Sequence, residues 1–213
     1  MTRRPFTGGE LNILNGKMGI SAPDKSVPVA RLVRYHKPKS PAELEKLISD
    51  HVNGGCPCGV VSTGTVQDFG RNLYEAQIGF WGEYKYSLKD CIQWEYDLFI
   101  LQMLKGNTME DKCQDKLKKL LESPYNIVKT NEYVDEEVRV DLEVYYQTSL
   151  IAGIQVKPDS FKNIRNNIKL FNINANKAYN RPVLYVYYDY DSEDLINIEK
   201  VVKIIKKIKE NKN

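Results

Sequence analysis

A stretch of regular alternation between apolar and polar residues, from Val138 to Pro158, constrains the fold more than any other feature of this sequence. Successive side chains point to opposite faces of a β-strand, so a period of two predicts strands with one apolar face. The sequence VRVDLEVYYQTSLIAGIQVKP contains two such runs, separated by a polar break. It predicts a β-hairpin whose apolar face is formed by Val138, Val140, Leu142 and Val144 in the first arm and by Ile154 and Val156 in the second.

The opposite face of this hairpin carries the candidate chemistry. With the turn centred on Ser149, Asp141 lies opposite Lys157 and Glu143 opposite Gln155, and directly opposed residues have Cβ atoms about 4.5–5.5 Å apart. Two acids, an amide and a lysine are suited to hold a hard cation through oxygen atoms, beside an amine that steadies a phosphate or an attacking water. The alternative is a half-exposed hairpin in which Asp141 and Lys157 form an ordinary ion pair on a solvated face.

The segments around the hairpin predict a mixed sheet covered by helices. Apolar residues at helical spacing indicate helices, and β-prone runs indicate strands. From residue 109 onward the order is α-β-β-β-α-β-α, which predicts an α/β fold of the α+β type with a mixed sheet. The expected helices are 109–122, about 160–179 and 192–209, the expected strands outside the hairpin are 125–133 and 182–188, and further helices are expected over 41–50, 64–78 and 88–103.

This order resembles the PD-(D/E)XK nuclease superfamily, in which an Asp on the second strand of a three-stranded meander and a Lys on the third form the site. The corresponding motif here is Asp141 followed by Gln155-Val156-Lys157, with Gln where the pattern usually has Glu. The phrase GNTMEDK, residues 106–112, is similar to the first helix of the superfamily, and Glu110 matches the acid of that helix that faces the site. The resemblance covers residues 106–188 and implies a metal-dependent nuclease.

Within the superfamily, the chain is most similar to the MjaI-type restriction endonucleases. The similar segments are GVVSTGTVQDF (59–69), SLKDCIQWEYDLF (87–99) and GIQVKPDSF (153–161). The resemblance implies a Type II restriction endonuclease that hydrolyses double-stranded DNA at a short palindrome, CTAG, with Mg²⁺ as its cofactor. A two-fold recognition site is met most simply by a homodimer. A cognate methyltransferase is expected in the same system, without direct contact.

The resemblance assigns a role to each candidate residue. Asp141 is the central metal ligand, and Gln155 supplies a neutral carbonyl oxygen to the metal. Lys157 orients or deprotonates the attacking water and stabilises the pentavalent phosphate. Glu110 binds a metal-bound water or a second metal ion, and Glu143 is either a further ligand or a charge-balancing residue.

Two other functions are compatible with the same pattern. One is a different DNA nuclease of the superfamily, acting in repair, junction resolution or transposition, which would require a branched or damaged substrate rather than a palindrome. The other is a non-catalytic DNA-binding protein that keeps the fold as a scaffold. Relatives that have lost activity usually lack the Asp or the Lys, and this chain retains both Asp141 and Lys157.

The distribution of charge separates the beginning of the chain from the rest. The net charge is only +3, yet residues 1–40 contain eight Lys or Arg and two acidic residues. This segment is either a basic arm that contacts DNA phosphates or a solvated, partly ordered extension. We expect residues 1–104 to form a basic arm and helical region packed on the core, and 105–213 to form the catalytic core. The expected phosphate contacts are Arg31, Arg34, Lys37 and Lys39.

The four cysteines, Cys56, Cys58, Cys91 and Cys113, do not predict a disulfide framework. The sequence contains no apolar signal segment and no transmembrane run, so a reducing, cytoplasmic location without membrane contact is expected. Cys56 and Cys58 lie close to His51, which suggests zinc. A structural zinc site needs four ligands, however, and the remaining cysteines form no second pair. On this reasoning no zinc site is expected.

Overall fold

The computed structural model of the chain describes residues 3–163 and 166–210, apart from the side chains of residues 167 and 168. It divides into two compact units, Met1–Asn107 and Thr108–Asn213, whereas a boundary after residue 104 was expected. No helix in these described ranges combines the length and the apolar character that a membrane span requires.

The regular elements of the first unit, in its described part, are all helices joined by loops. Thr65 and Ser87 each begin a helix with a capping box, in which the side chain accepts a hydrogen bond from a backbone N–H one turn later while the Asp at that position bonds back. The helix predicted over 41–50, with Ser40 as its N-cap, is confirmed. The helices of this unit are α1 (Gly9–Met18), α2 (Val29–His36), α3 (Pro41–Asp50), α4 (Val66–Trp81) and α5 (Leu88–Tyr96), which continues into a π-helical turn (Asp97–Leu101).

Residues 3–40 are folded rather than a solvated, partly ordered extension, so that alternative is wrong for this described segment. Leu14 and Leu32, on α1 and α2, are fully buried. The Arg3 guanidinium donates to both carboxylate oxygens of Asp97, and the Phe6 backbone N–H donates to the same carboxylate at 2.7 Å. Buried apolar residues at helical spacing hold both helices in the core. The sequence interpretation rested on the excess of positive charge in this segment and did not use that spacing.

A close approach of α4 and α5 depends on Gly70. A methyl group added at this position would lie 2.6 Å from the Cα of Ile92, which is backbone and cannot move aside. Overpacking of this kind typically costs 1–3 kcal/mol. We expect Gly70→Ala to lower the free energy of unfolding of the first unit by about 2 kcal/mol, measured by urea denaturation with the fluorescence of Trp81 and Trp94.

A matched control for this prediction lies on the same helix. Nothing lies within 4 Å of a methyl group added at Gly79, so Gly79→Ala should stabilise the helix by about 0.5–1 kcal/mol through reduced backbone entropy. Equal effects of the two substitutions would contradict the close packing of α4 against Ile92.

The second unit is a four-stranded sheet with helices on its faces. The strands follow one another across the sheet in sequence order, with the first three antiparallel and the fourth parallel to the third. The prediction of an α/β fold with a mixed sheet is therefore confirmed. The elements are α6 (Gln102–Leu121), β1 (Tyr125–Lys129), α7 (Glu132–Glu136), β2 (Leu142–Tyr146), β3 (Ser149–Pro158), a 3₁₀ turn (Asp159–Asn163), α8 (Asn166–Asn176), β4 (Val183–Tyr188) and α9 (Ile198–Glu210).

The two faces of the sheet differ in chemistry. One face carries the apolar residues of the alternating pattern, which form a single core with α6 and α9 that includes Leu142, Val144, Ile154, Val156, Met109, Leu117, Val201 and Ile205. The other face is polar and contacts α8. On that face Gln155 bonds to Asn172, and the Tyr185 hydroxyl donates to Asn176 at 2.8 Å. The candidate site residues Asp141, Gln155 and Lys157 lie on this polar face, near the end of β3.

Several predicted boundaries around the sheet are wrong. The expected strand 125–133 ends at Lys129, because the Asn131 side chain caps the short helix α7. The first arm of the hairpin begins at Leu142 rather than Val138, since Arg139 has a left-handed backbone (φ 61°) that interrupts extended structure. The expected helix 160–179 is a 3₁₀ turn and then α8, and its residues 164 and 165 lie outside the described residues.

Candidate active site

Asp141 is a buried carboxylate held by the backbone of the neighbouring strand. It directly precedes β2 and is 6% exposed. Its own N–H donates to the carbonyl of Ile154 at 2.9 Å, while its Oδ2 accepts from the N–H of Val156 at 2.6 Å. A hydrogen bond from a neutral amide to an ionised carboxylate is short and strong. These two contacts give Asp141 a fixed position beside the end of β3.

Lys157 brings its amine to the same carboxylate. Its Nζ lies 3.9 Å from Asp141 Oδ2, and the exposed fractions of the two side chains are 25% for the lysine and 5% for the aspartate. The pair is thus largely enclosed, unlike the ion pair on a solvated face that was the alternative interpretation. The structure brings together the two residues that matched the motif, at the end of the third strand.

The register that brings them together differs from the expected one. Leu142 pairs with Ile154 and Glu143 with Gly153, so Glu143 does not oppose Gln155. The hairpin turns at residues 147–148, where Gln147 has a positive φ of 53°, and a bulge follows Val144. This tighter turn shifts the register by two residues overall. A shift of two preserves the face of every side chain, whereas a shift of one would invert it.

Gln155 is fully buried on the polar face. Its Nε2 donates to Asn172 Oδ1 at 3.2 Å, but its Oε1 has no hydrogen-bond partner among the residues that the structure describes. Leaving a buried acceptor unpaired costs about 1–3 kcal/mol, so such atoms in folded proteins usually serve a ligand or a water. The free oxygen on this residue is the kind of donor that a hard cation uses.

Glu110 is electrostatically part of the same cluster. It lies on α6 with about a quarter of its side chain exposed. The pKa of its carboxyl is raised to about 8, chiefly by burial and then by the negative charges of Asp141 and Asp135, while Lys129 and Lys157 oppose the shift. Two carboxylates that repel each other in a partly enclosed space are a feature of divalent cation sites.

Lys129 is a member of the cluster that the sequence pattern did not indicate. It is the last residue of β1, and its Nζ lies 3.6 Å from Glu110 Oε2 and 2.8 Å from Asp111 Oδ1. A second lysine beside the acids adds positive charge where a phosphate would approach. Its place could have been inferred only from the pairing of β1 with β2, because a lysine at the end of a strand carries no local signal.

Glu143 does not share this environment. Its Oε2 accepts from the Tyr145 hydroxyl at 2.9 Å and its Oε1 accepts from the Tyr179 hydroxyl at 3.1 Å. The carboxylate, together with burial of the ring, raises the pKa of Tyr179. Both oxygens of Glu143 therefore accept hydrogen bonds from phenols, and its role as a metal ligand or a charge-balancing residue stays a prediction.

The four basic residues expected to contact DNA lie in the first unit. Arg31 and Arg34 are on α2, and Lys37 and Lys39 follow its end. Arg34, Lys37 and Lys39 are exposed and Arg31 is half-buried. Their role in binding stays a prediction.

The expectation that the chain lacks four zinc ligands is wrong. One potential ligand atom from each of four residues lies within 4.8 Å of the others in the first unit, and these residues are His36, His51, Cys56 and Cys58. His36 and His51 stand fifteen residues apart in the sequence, so no local pattern indicated that both histidines meet the two cysteines.

Comparison with known proteins gave no match. No family model matches the chain, and no curated protein and no solved structure is similar to it. Its function must therefore be inferred from the residues of the site.

Proposed function

We propose that this protein is a Mg²⁺-dependent endonuclease of the PD-(D/E)XK type that hydrolyses double-stranded DNA, and that it acts as a Type II restriction enzyme. The observation that carries the proposal is the pairing of a buried, backbone-bonded Asp141 with Lys157 at the ends of adjacent strands. A homodimer and a CTAG palindrome are part of the proposal, through the resemblance to the MjaI-type enzymes.

The order of elements in the second unit supports the superfamily assignment. A helix carrying Glu110 leads into an antiparallel three-stranded meander, and a helical crossover then returns the chain to a parallel fourth strand. The Asp of the motif directly precedes the second strand of the meander and the Lys lies on the third, close to the positions that the resemblance implies. The short helix α7 is an addition to the expected order.

The donor set at the site fits a hard divalent cation. Asp141 and Glu110 provide carboxylate oxygens, and Gln155 provides a buried carbonyl oxygen that no described residue of the protein contacts through a hydrogen bond. Oxygen donors of these types suit Mg²⁺, which is usually bound by one or two carboxylates with water and substrate phosphate completing its shell. When bound, the ion would neutralise charge on the phosphodiester and lower the pKa of a coordinated water.

Three groups of the protein, besides those that bind the metal alone, would orient the carboxylate, the phosphate and the attacking water or balance charge. The Val156 N–H holds the Asp141 carboxylate in one orientation. The amine of Lys157 lies 3.9 Å from this carboxylate. In the proposed reaction it would donate to a non-bridging phosphate oxygen and orient the attacking water. Lys129 offsets the charge of the acids on α6 and favours approach of the polyanion.

The decisive experiment is incubation of the purified full-length chain with unmethylated plasmid DNA and Mg²⁺, followed by sequencing of the ends. We expect discrete fragments whose ends share one palindrome. Cleavage confined to branched DNA would favour a junction-resolving or repair nuclease. Binding without cleavage in Mg²⁺ or Mn²⁺ would favour a non-catalytic DNA-binding protein and would contradict the proposed activity.

The basic segment of the first unit should contribute affinity rather than chemistry. If Arg31, Arg34, Lys37 and Lys39 contact phosphates, substituting all four with Gln should weaken DNA binding equally for all sequences. The slope of log K against log salt should become shallower by about 0.9 per lost contact. Fluorescence anisotropy at several salt concentrations measures both quantities.

The exposed lysines Lys116, Lys118 and Lys119 on α6 offer a control with similar loss of charge. An unchanged affinity and slope after the four substitutions near α2 would mean that this segment does not bind DNA. Relaxed specificity at one base pair would mean that it reads bases instead.

A further inference from the structure

Two histidines and two cysteines that are far apart in the sequence converge in the first unit. His36 is the last residue of α2 and His51 is the C-cap of α3, while Cys56 and Cys58 lie in the loop that follows. One ligand atom from each lies within 4.8 Å of the other three. Three separate segments of the chain thus deliver four side chains of the types that bind zinc.

The distances between these atoms are close to those of a tetrahedral site. His51 Nε2 lies 3.2 Å from Cys58 Sγ, and His36 Nε2 lies 3.5 Å from Cys56 Sγ. With Zn–S bonds of about 2.3 Å and Zn–N bonds of about 2.0–2.1 Å, tetrahedral geometry places neighbouring N and S atoms about 3.5 Å apart. A central ion therefore requires only a small contraction of the cluster.

The contacts around His51 prepare it as a ligand. Its Nδ1 lies 2.6 Å from the carbonyl oxygen of Leu47. A carbonyl can only accept, so Nδ1 carries the proton and Nε2 presents its lone pair toward Cys58. A hydrogen bond from the second ring nitrogen to a backbone carbonyl is the usual arrangement that fixes the tautomer and ring orientation of a metal-bound histidine. His51 is also 3% exposed, so its orientation is fixed by packing.

Two further features favour a bound cation with thiolate ligands. His36 and His51 both lie at helix C-termini, where the partial negative charge of the helix dipole attracts positive charge. The backbone N–H of Cys58 is directed at Cys56 Sγ, 3.5 Å away, and such contacts stabilise a thiolate.

We infer that His36, His51, Cys56 and Cys58 bind one Zn²⁺ ion that stabilises the first unit. Two thiolates and two imidazoles select zinc over Mg²⁺ or Ca²⁺, which prefer oxygen. Four protein ligands complete a tetrahedral shell and leave no position open for substrate, which is typical of a structural rather than a catalytic zinc. The ion would connect the end of α2, with the adjacent Lys37 and Lys39, to the end of α3 and to the Cys56–Cys58 loop.

Metal analysis of the full-length chain, purified under reducing conditions from zinc-supplemented cells, tests this inference. We expect one zinc per chain by mass spectrometry of the dissolved metal. Cys56→Ser and Cys58→Ser should each lose the zinc or have an affinity for it reduced by over about 100-fold. Loss of a residue that only hydrogen-bonds to a metal ligand typically reduces the affinity by about 10–100-fold. Cys91→Ala, which removes a buried thiol of the same unit outside the cluster, should retain a full equivalent.

Two measurements keep the test valid if the serine variants do not fold. Titration of the wild-type protein with Co²⁺ should give the visible bands of a tetrahedral site with thiolate ligands. Chelation should lower the melting temperature followed by Trp81 and Trp94, and Zn²⁺ but not Mg²⁺ should restore it. Asp141→Asn should bind the full equivalent, which separates this site from the proposed nuclease centre. Absence of zinc from reduced wild-type protein, together with no cobalt spectrum, would overturn the inference.

Discussion

Replacing Asp141 with Asn should abolish Mg²⁺-dependent DNA cleavage, with a loss on the order of 10³-fold or more in rate. The amide keeps the size of the side chain and an oxygen that can accept from the Val156 N–H, so the strand end should stay in place. What disappears is the negative charge that would bind the proposed cation. Single-turnover cleavage of a plasmid or a defined duplex measures the effect.

Lys157→Met should have a similar effect by a different route. Methionine keeps most of the apolar stem and removes the amine that lies 3.9 Å from Asp141. We expect cleavage to be lost while DNA binding in Ca²⁺ persists, because one amine among many phosphate contacts contributes little affinity. The free energy of unfolding of both variants should lie within about 1.5–3 kcal/mol of the wild-type value, since Asp141→Asn neutralises the acceptor of one charged hydrogen bond and Lys157→Met removes one ion pair.

Two exposed residues of α6 provide controls matched in chemistry. Asp115→Asn and Lys118→Met make the same changes at solvated positions of the second unit and should leave cleavage unchanged. Robust cleavage by Asp141→Asn or Lys157→Met would reject this site as the catalytic centre. An equal loss in the control variants would show that the assay reports surface charge instead.

Glu95 should make the first unit less stable as the pH rises. It is fully buried on α5, Ser21 Oγ donates to its Oε2 at 2.7 Å, and its Oε1 has no hydrogen-bond partner within the described part of the chain. Burial raises the pKa of this carboxyl from 4.5 to about 7, although the Ser21 hydroxyl opposes the shift. The folded protein therefore holds a proton at pH values at which the unfolded chain has already released it.

The direction of the effect follows from this difference in bound protons. The contribution of Glu95 to the free energy of unfolding is fully present below pH 4.5 and falls as the pH rises from about 4.5 to about 7. Above that range the contribution stays lost. At 1.36 kcal/mol per pKa unit the total loss is about 3 kcal/mol. Glu95→Gln stays neutral at every pH and should lack this component, so the variant should be the more stable protein at pH 8.

Urea denaturation at pH 5 and pH 8 measures the difference, with fluorescence as the signal. Both tryptophans of the chain, Trp81 and Trp94, lie in the first unit and therefore report its unfolding. Glu75→Gln alters an exposed glutamate of the same unit and should keep the pH dependence of the wild type. Identical pH profiles for Glu95→Gln and the wild type would mean that Glu95 is ionised in the folded protein.

Patterns within single segments predicted the elements and faces of the second unit. A period of two placed Leu142, Val144, Ile154 and Val156 in the core, and the β-prone run near residue 185 became β4. Helical spacing placed α6 and α9 against the sheet. These features are local, because alternation and helical spacing depend on residues only a few positions apart. The same logic put Asp141 and Lys157 on one face, and the observed register shift of two residues kept them there.

Only the tertiary structure decided the pairing of these residues and the contents of the first unit. A two-residue turn and a bulge set the register of the hairpin. The hydroxyls of Tyr145 and Tyr179 donate hydrogen bonds to the carboxylate of Glu143. Lys129 joined the site through the pairing of β1. His36 and His51 lie beside Cys56 and Cys58 because the C-terminal ends of α2 and α3 are close together in space. Contacts between residues distant in sequence depend on how whole elements pack, and no local pattern records that packing.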